Sequence, residues 1–135
     1  MAESHKTNIK DLTIYQKSLE IFKLSRHIAS YVTHDKDIIA MHTSKNHLDK
    51  YADKLVIDAL ELVPKIIETE NETNHIQKLK HAKSLRFFID RLYTNTKYLD
   101  TNKTNSSDFI KLLRIELKKL RIIHRLYVKS LIQQN

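Results

Sequence analysis

The sequence predicts an all-α protein, an up-down-up-down antiparallel four-helix bundle. Three observations predict it. The 135 residues contain no Gly and one Pro, so tight hairpin turns lack the residue that most readily builds them. Four segments repeat apolar residues at helical spacing. Polar breaks separate these segments, and short connections make consecutive helices antiparallel. The chain, 1–135, reads as one domain long enough for a real core, with residues 1–10 as a disordered lead.

The first helix is expected from about Asp11, its N-cap, to Val32. Tyr15, Leu19, Phe22 and Ala29 form its inner stripe. Ile14, Ile21 and Ile28 make a second seam, seven residues apart. Both together exceed the ~100° of a simple amphipathic face, so the isoleucine seam is expected to meet another subunit. Thr33–Ser44 is a mixed connection. The second helix spans roughly Lys45–Thr69, with Leu48, Tyr51, Leu55, Ala59, Leu62 and Ile66 facing one way. Pro64 inside it removes a backbone donor and predicts a kink. After the break Asn71–Asn74, the third helix runs to about Leu99, with Ala82, Leu85, Ile89, Leu92, Thr96 and Leu99 in phase. Asp100–Ser107 is a polar loop. The fourth helix starts after Ser106 or Ser107, either a good N-cap, and runs to about Ile132. Its core stripe is Phe109, Leu113, Leu117, Leu120, His124, Tyr127 and Leu131.

Charge is distributed unevenly along these helices. Residues 78–129 hold 14 Lys+Arg and 4 Asp+Glu, while residues 1–77 hold 10 and 12. The formal +8 therefore belongs to the second half. Lys111, Arg114, Lys118, Arg121, Arg125 and Lys129 recur every three or four residues, in one stripe about 80° wide on a helix. Lys80, Lys83, Arg86, Arg91 and Lys97 add charge on the adjoining helix. Six cations on one face repel one another unless polyanion or an acidic neighbour relieves them. Helix four supplies no i,i+4 acids to do so. The stripe, with Lys83 and Arg86, is the candidate nucleic-acid-binding surface. With ten aromatics in all, phosphate contact is expected to dominate over base stacking. A solvated face is the plainer reading of the same charges.

Other chemistries find little support. Without Gly, Walker A and dinucleotide fingerprints are excluded. Without Cys there is no disulfide, thiolate metal site or cysteine nucleophile. Ser and His residues are scattered with no nucleophile elbow, so no catalytic residue is assigned and the chain reads as a non-enzyme. Glu72-x-x-His75 is half of a di-iron motif with no second copy. His42 and His47 do not share a helical face. No metal and no cofactor are therefore expected. Glu116 lies toward the apolar side of its helix and is expected to pair with a base from a neighbour. The polar N-terminus has no signal-peptide pattern, and no apolar run reaches the ~20 residues that span a bilayer. A cytoplasmic protein is expected. Phe87, Ile115 and Ile122, with Leu126, lie off the core phase and join Ile14, Ile21 and Ile28 as the candidate oligomer interface.

The opening Asp11-Leu12-Thr13-Ile14-Tyr15-Gln16-Lys17-Ser18-Leu19-Glu20-Ile21 resembles the D-L-x-V-W-Q-K-A-x-E-L start of a family of bacterial four-helix-bundle proteins. The family includes proteins encoded in 23S rRNA intervening sequences and the accessory variability proteins of diversity-generating retroelements. Leu62-Val63-Pro64-Lys65-Ile66-Ile67-Glu68 is similar to S-I-P-x-N-I-A-E of the first branch. Asp58-Ala59-Leu60-Glu61-Leu62 and Leu85–Tyr93 look more like the second. The family's E-G after its second helix is Glu68-Thr69 here. The resemblance spans about residues 9–131. It implies a homopentamer with a basic surface. In the accessory branch that surface binds RNA or DNA and a reverse transcriptase. In the intervening-sequence branch the counterpart would be a scaffold docking an acidic protein.

Overall fold

The structure, a computed structural model, describes residues 8–33, 47–101 and 107–134. Four helices account for nearly all of them: α1 (Thr13–Val32), α2 (His47–Asn71), α3 (His75–Thr101) and α4 (Ser107–Gln133). No strand occurs among the described residues. Each helix packs on the next, and α1 closes the bundle against α4. Of the expected connections 33–44 and 100–107, residues 34–44, with His42, and 102–106 lie outside the described residues, as do residues 1–7 and the side chains of His47 and Leu48. Asp100 and Thr101, expected in the second connection, belong to α3, and Ser107 opens α4.

The chain enters α1 differently from the expectation. Ile9–Asp11 form a 3-10 turn, capped by the Asn8 side chain accepting from the Lys10 amide at 3.1 Å. Asp11 therefore sits inside this turn, and Leu12 takes the N-cap position of α1 without a side-chain bond. The part of the expected disordered lead that is described, residues 8–10, is thus structured. Helix α1 ends at Thr33, whose amide and hydroxyl both donate to the Ala29 carbonyl, at 3.0 and 2.6 Å.

The inward row of α1 is the main correction. Ile14, Ile21 and Ile28 are at most 2% exposed and belong to the core of the single chain. They cannot form a subunit seam. Ser18, Ser25 and Ala29 share their face. Tyr15, Leu19 and Phe22 are half-buried at its flank. The physical reason is size. Small serines between the isoleucines let neighbouring helices approach closely, whereas the aromatic row needs room at the edge. The cost is that the Ser18 and Ser25 hydroxyls are buried without a hydrogen-bond partner among the described residues.

Helix α2 runs through Pro64 to Asn71. Leu60, whose carbonyl loses its amide partner to the proline, lies with Pro64 on the exposed side, where water can replace that donor. Three residues connect α2 to α3. Asn74 caps α3, its side chain accepting from the Gln77 amide at 3.0 Å, and Glu72 accepts from the Asn74 amide at 3.0 Å. The inner stripe of α3 is buried as expected, from Ala82 to Leu99. On α4, Leu113, Leu117, Leu120, His124, Tyr127 and Leu131 are buried, Ile110 joins them, and Phe109 is half-buried.

Two large polar side chains of the core are tied down. His124 Nε2 lies 2.7 Å from the Ala82 carbonyl. A carbonyl only accepts, so Nε2 carries the proton; burial holds the imidazole below its ordinary pKa. The Tyr127 hydroxyl donates to Glu70, and burial followed by that bond raises its pKa.

The first and last helices are clasped by charge. Lys17 Nζ lies 2.8 Å from Glu116 and 3.0 Å from Glu20. The hydrogen bond from Lys17 holds the Glu116 carboxyl below its ordinary 4.5. The bond to Glu116 raises Lys17 above 10.5, against burial. A depressed carboxylate stabilises the fold above its unfolded pKa, and that contribution is lost as pH falls through the folded value. The raised lysine contributes below 10.5 and loses its effect as pH rises through its own folded value. Replacing Glu116 by Gln should therefore lower stability by about 1 kcal/mol at neutral pH, between the worth of exposed and buried pairs. Urea unfolding should show the difference from wild type shrinking at acid pH, once Glu116 is protonated in both states. A constant difference at all pH values would contradict this account.

Candidate nucleic-acid interface

The cations of α4 divide into two sets. Lys111, Lys118, Arg125 and Lys129 are exposed. Arg114 and Arg121 are half-buried and turn toward α3, so the six do not form one uniformly outward row. Arg114 Nε donates to the Thr96 hydroxyl at 3.1 Å. Arg121 donates to Asp90 Oδ1 through Nε at 3.1 Å and through a terminal nitrogen at 2.9 Å. Arg86 reaches the same oxygen at 2.9 Å from its own helix, four residues away. Burial pushes the Asp90 carboxyl up, but the bonds and charges of Arg86 and Arg121 outweigh it and hold the group below its ordinary value.

Tyr93 floors this groove. The Arg121 guanidinium sits over its ring at 4.7 Å, Lys97 at 5.6 Å and Arg114 at 5.9 Å. The ring face attracts each cation and anchors the arginines in a fixed direction. Lys83 is exposed on the same side of α3. The groove between α3 and α4 thus carries Lys83, Arg86, Lys97, Arg114 and Arg121, of which Arg86 and Arg121 meet at the Asp90 carboxylate. Lys118 and Arg125 border it. From Lys111 to Lys129 the row is about 27 Å long at 1.5 Å per residue.

Two charged residues of these helices are engaged elsewhere. Arg91 donates to the buried Asp58 on α2 at 3.0 Å, and Asn95 donates to the other Asp58 oxygen at 2.7 Å. Arg91 also covers Phe87 at 5.6 Å. Glu116, the one acid of α4 beyond its first turn, faces Lys17 and Lys119 rather than the groove. Phe87, Ile115 and Ile122 are exposed in the single chain, at 63%, 51% and 53%.

Sequence reasoning missed Asp90 and Tyr93. Each has one partner on α3 itself, Arg86 for Asp90 and Lys97 for Tyr93, four residues away. The partners on α4, Arg114 and Arg121, lie beyond what an i,i+4 search of one helix reaches. The signal available was the phase: Arg86, Asp90, Tyr93 and Lys97 recur at three- and four-residue steps, on one side of α3.

Among the described residues no group of three or more His, Asp or Glu is placed to hold a metal. Glu72 and His81 are 3.9 Å apart. No described helix is long and apolar enough to cross a membrane. Comparison of the chain with protein-family models, curated proteins and solved structures finds no match.

Proposed function

We propose that this bundle binds nucleic acid along the α3–α4 groove, through phosphate contacts rather than base readout. The observation that carries the reading is the charge census of the groove: five cations along it, with Lys118 and Arg125 at the border, and one acid, Asp90, already shared by two arginines. Such a surface is electrostatically incomplete, and a polyanion completes it. The arginines are preorganised over Tyr93, so little side-chain freedom is lost when a phosphate arrives. The setting suggested by the family resemblance, an accessory factor to a reverse transcriptase, needs a surface of this kind. Nothing in the groove provides a nucleophile with its base, and the proposed role is to hold a strand.

Fluorescence anisotropy with labelled RNA and DNA oligonucleotides tests this. Each phosphate neutralised releases condensed counterion, so log affinity should fall linearly with log salt by about 0.7–0.9 per neutralised phosphate. Affinity should change little with base composition. Absence of binding at about 50 mM salt, or a slope near zero, would remove nucleic acid as the ligand and leave an acidic protein surface as the complement of the groove.

A further inference from the structure

The outer face of α4 is apolar where a solvated helix would be polar. Leu112, Ile115, Ile122 and Leu126 are 43%, 51%, 53% and 60% exposed. With Lys119 between them they repeat at alternating steps of three and four residues, the spacing by which one helix packs lengthwise on another. Lys111, Lys118 and Arg125 follow one edge of this seam, seven residues apart.

Helix α2 carries a second seam of the same kind. Ile57, Leu60, Pro64 and Ile67 step by three, four and three. Leu60 is 49% and Ile67 36% exposed. Here the heptad-spaced edge residues are Lys54, Glu61 and Glu68.

We propose that the α4 seam of one chain packs along the α2 seam of a second copy, with Lys118 and Arg125 set against Glu61 and Glu68. Over Lys118, Arg125, Glu61 and Glu68 the two edges match in spacing and are opposite in sign, the arrangement that selects partners in paired helices. Lys54 at the start of the α2 edge is left without an acidic counterpart. Pairing α4 with α4 by a two-fold axis centred on the seam would place Lys119 opposite Lys119 and surround both with further cations. The α2 seam has no cation among its apolar positions. Glu68 does have Lys65 at 3.6 Å within its own helix, but a half-exposed pair of this sort is worth little, and an incoming Arg125 replaces or joins it. Beside the α4 seam, Leu126, Leu12 and Ile123 line a cavity of about 260 Å³, a socket for an apolar side chain of the partner.

Helices α2 and α4 sit diagonally across the bundle, each packed on α1 and α3. Their outer faces point away from each other. The contact is therefore heterologous: every copy offers α4 to one neighbour and α2 to another, and assembly proceeds to a ring or an open filament.

Light scattering of the whole chain at micromolar concentration should give a multiple of 16.0 kDa. Ile115→Ser with Ile122→Ser should yield a monomer of unchanged helicity. So should Leu60→Ser with Ile67→Ser. Mixing the two monomeric variants is the decisive step, because each retains the face the other lacks. They should form a one-to-one pair of twice the chain mass that grows no further. Glu61→Lys with Glu68→Lys should also abolish assembly, and adding Lys118→Glu with Arg125→Glu to the same chain should restore it. A wild-type monomer overturns the proposal. So does an α2 variant that stays assembled, or a mixture of the two variants that stays monomeric.

Discussion

Truncating Ile21 to Ala should destabilise the protein by about 2–5 kcal/mol, the usual cost of removing a large aliphatic side chain from a packed core. Ile21 is fully buried at the middle of α1. Its neighbours along the inward face are Ser18 and Ser25, too short to collapse into the space left behind. Domains of this size are stable by only about 5–15 kcal/mol, so the loss is a large share of the whole. Urea unfolding followed by circular dichroism measures it, at one fixed protein concentration because association would add its own stabilisation. Ile76→Ala is the comparison. That side chain is exposed in the single chain, and its truncation should change unfolding of the monomer by less than about 0.5 kcal/mol. If Ile21→Ala unfolds within that same margin of wild type, the isoleucine row of α1 does not face the core.

Changing Lys80, Lys83, Lys97 and Lys129 together to Gln should weaken RNA and DNA binding at least tenfold, about 1.4 kcal/mol. All four are exposed, and Gln keeps most of their length and helix propensity, so the fold should persist. Arg86, Arg114 and Arg121 are left in place because removing them would also disturb Asp90, Thr96 or Tyr93. The salt slope should shrink by about 0.7–0.9 for each phosphate that is no longer neutralised. A control with Lys10, Lys23, Lys50 and Lys54 changed to Gln removes equal charge from exposed positions in the other half of the chain. Equal weakening in both variants would mean that only net charge attracts the strand.

How much of this could be read from residues alone differed between helices. On α3 and α4 one apolar stripe runs the length of each helix, and the second apolar row of α4 is interrupted by Lys119, so periodicity favoured one way to turn them inward. On α1 there are two rows, and periodicity cannot say which one faces the core. The bulkier row, Tyr15, Leu19 and Phe22, is the natural choice on transfer energy, yet the helices meet where the side chains are small. The α4 cations were legible because they share one helix. Their environment was not, because the register of α3 against α4 decides that Asp90 and Tyr93 lie opposite Arg121. The buried Asp58 was hidden for the same reason: its partners, Arg91 and Asn95, are 33 and 37 residues away.

The three-residue connection at 72–74 sets an order in time. Closing so short a loop has little entropic cost, and interactions between chain neighbours form before distant ones are rewarded. The α2–α3 hairpin should consolidate first. The junction of α1 with α4 comes last, since Lys17 and Glu116 are separated by 99 residues. An interaction absent from the transition state affects escape from the native state more than arrival at it. Loosening the clasp through Glu116→Gln should thus appear in stopped-flow traces as faster unfolding with nearly unchanged refolding, making this ion pair a brake on opening.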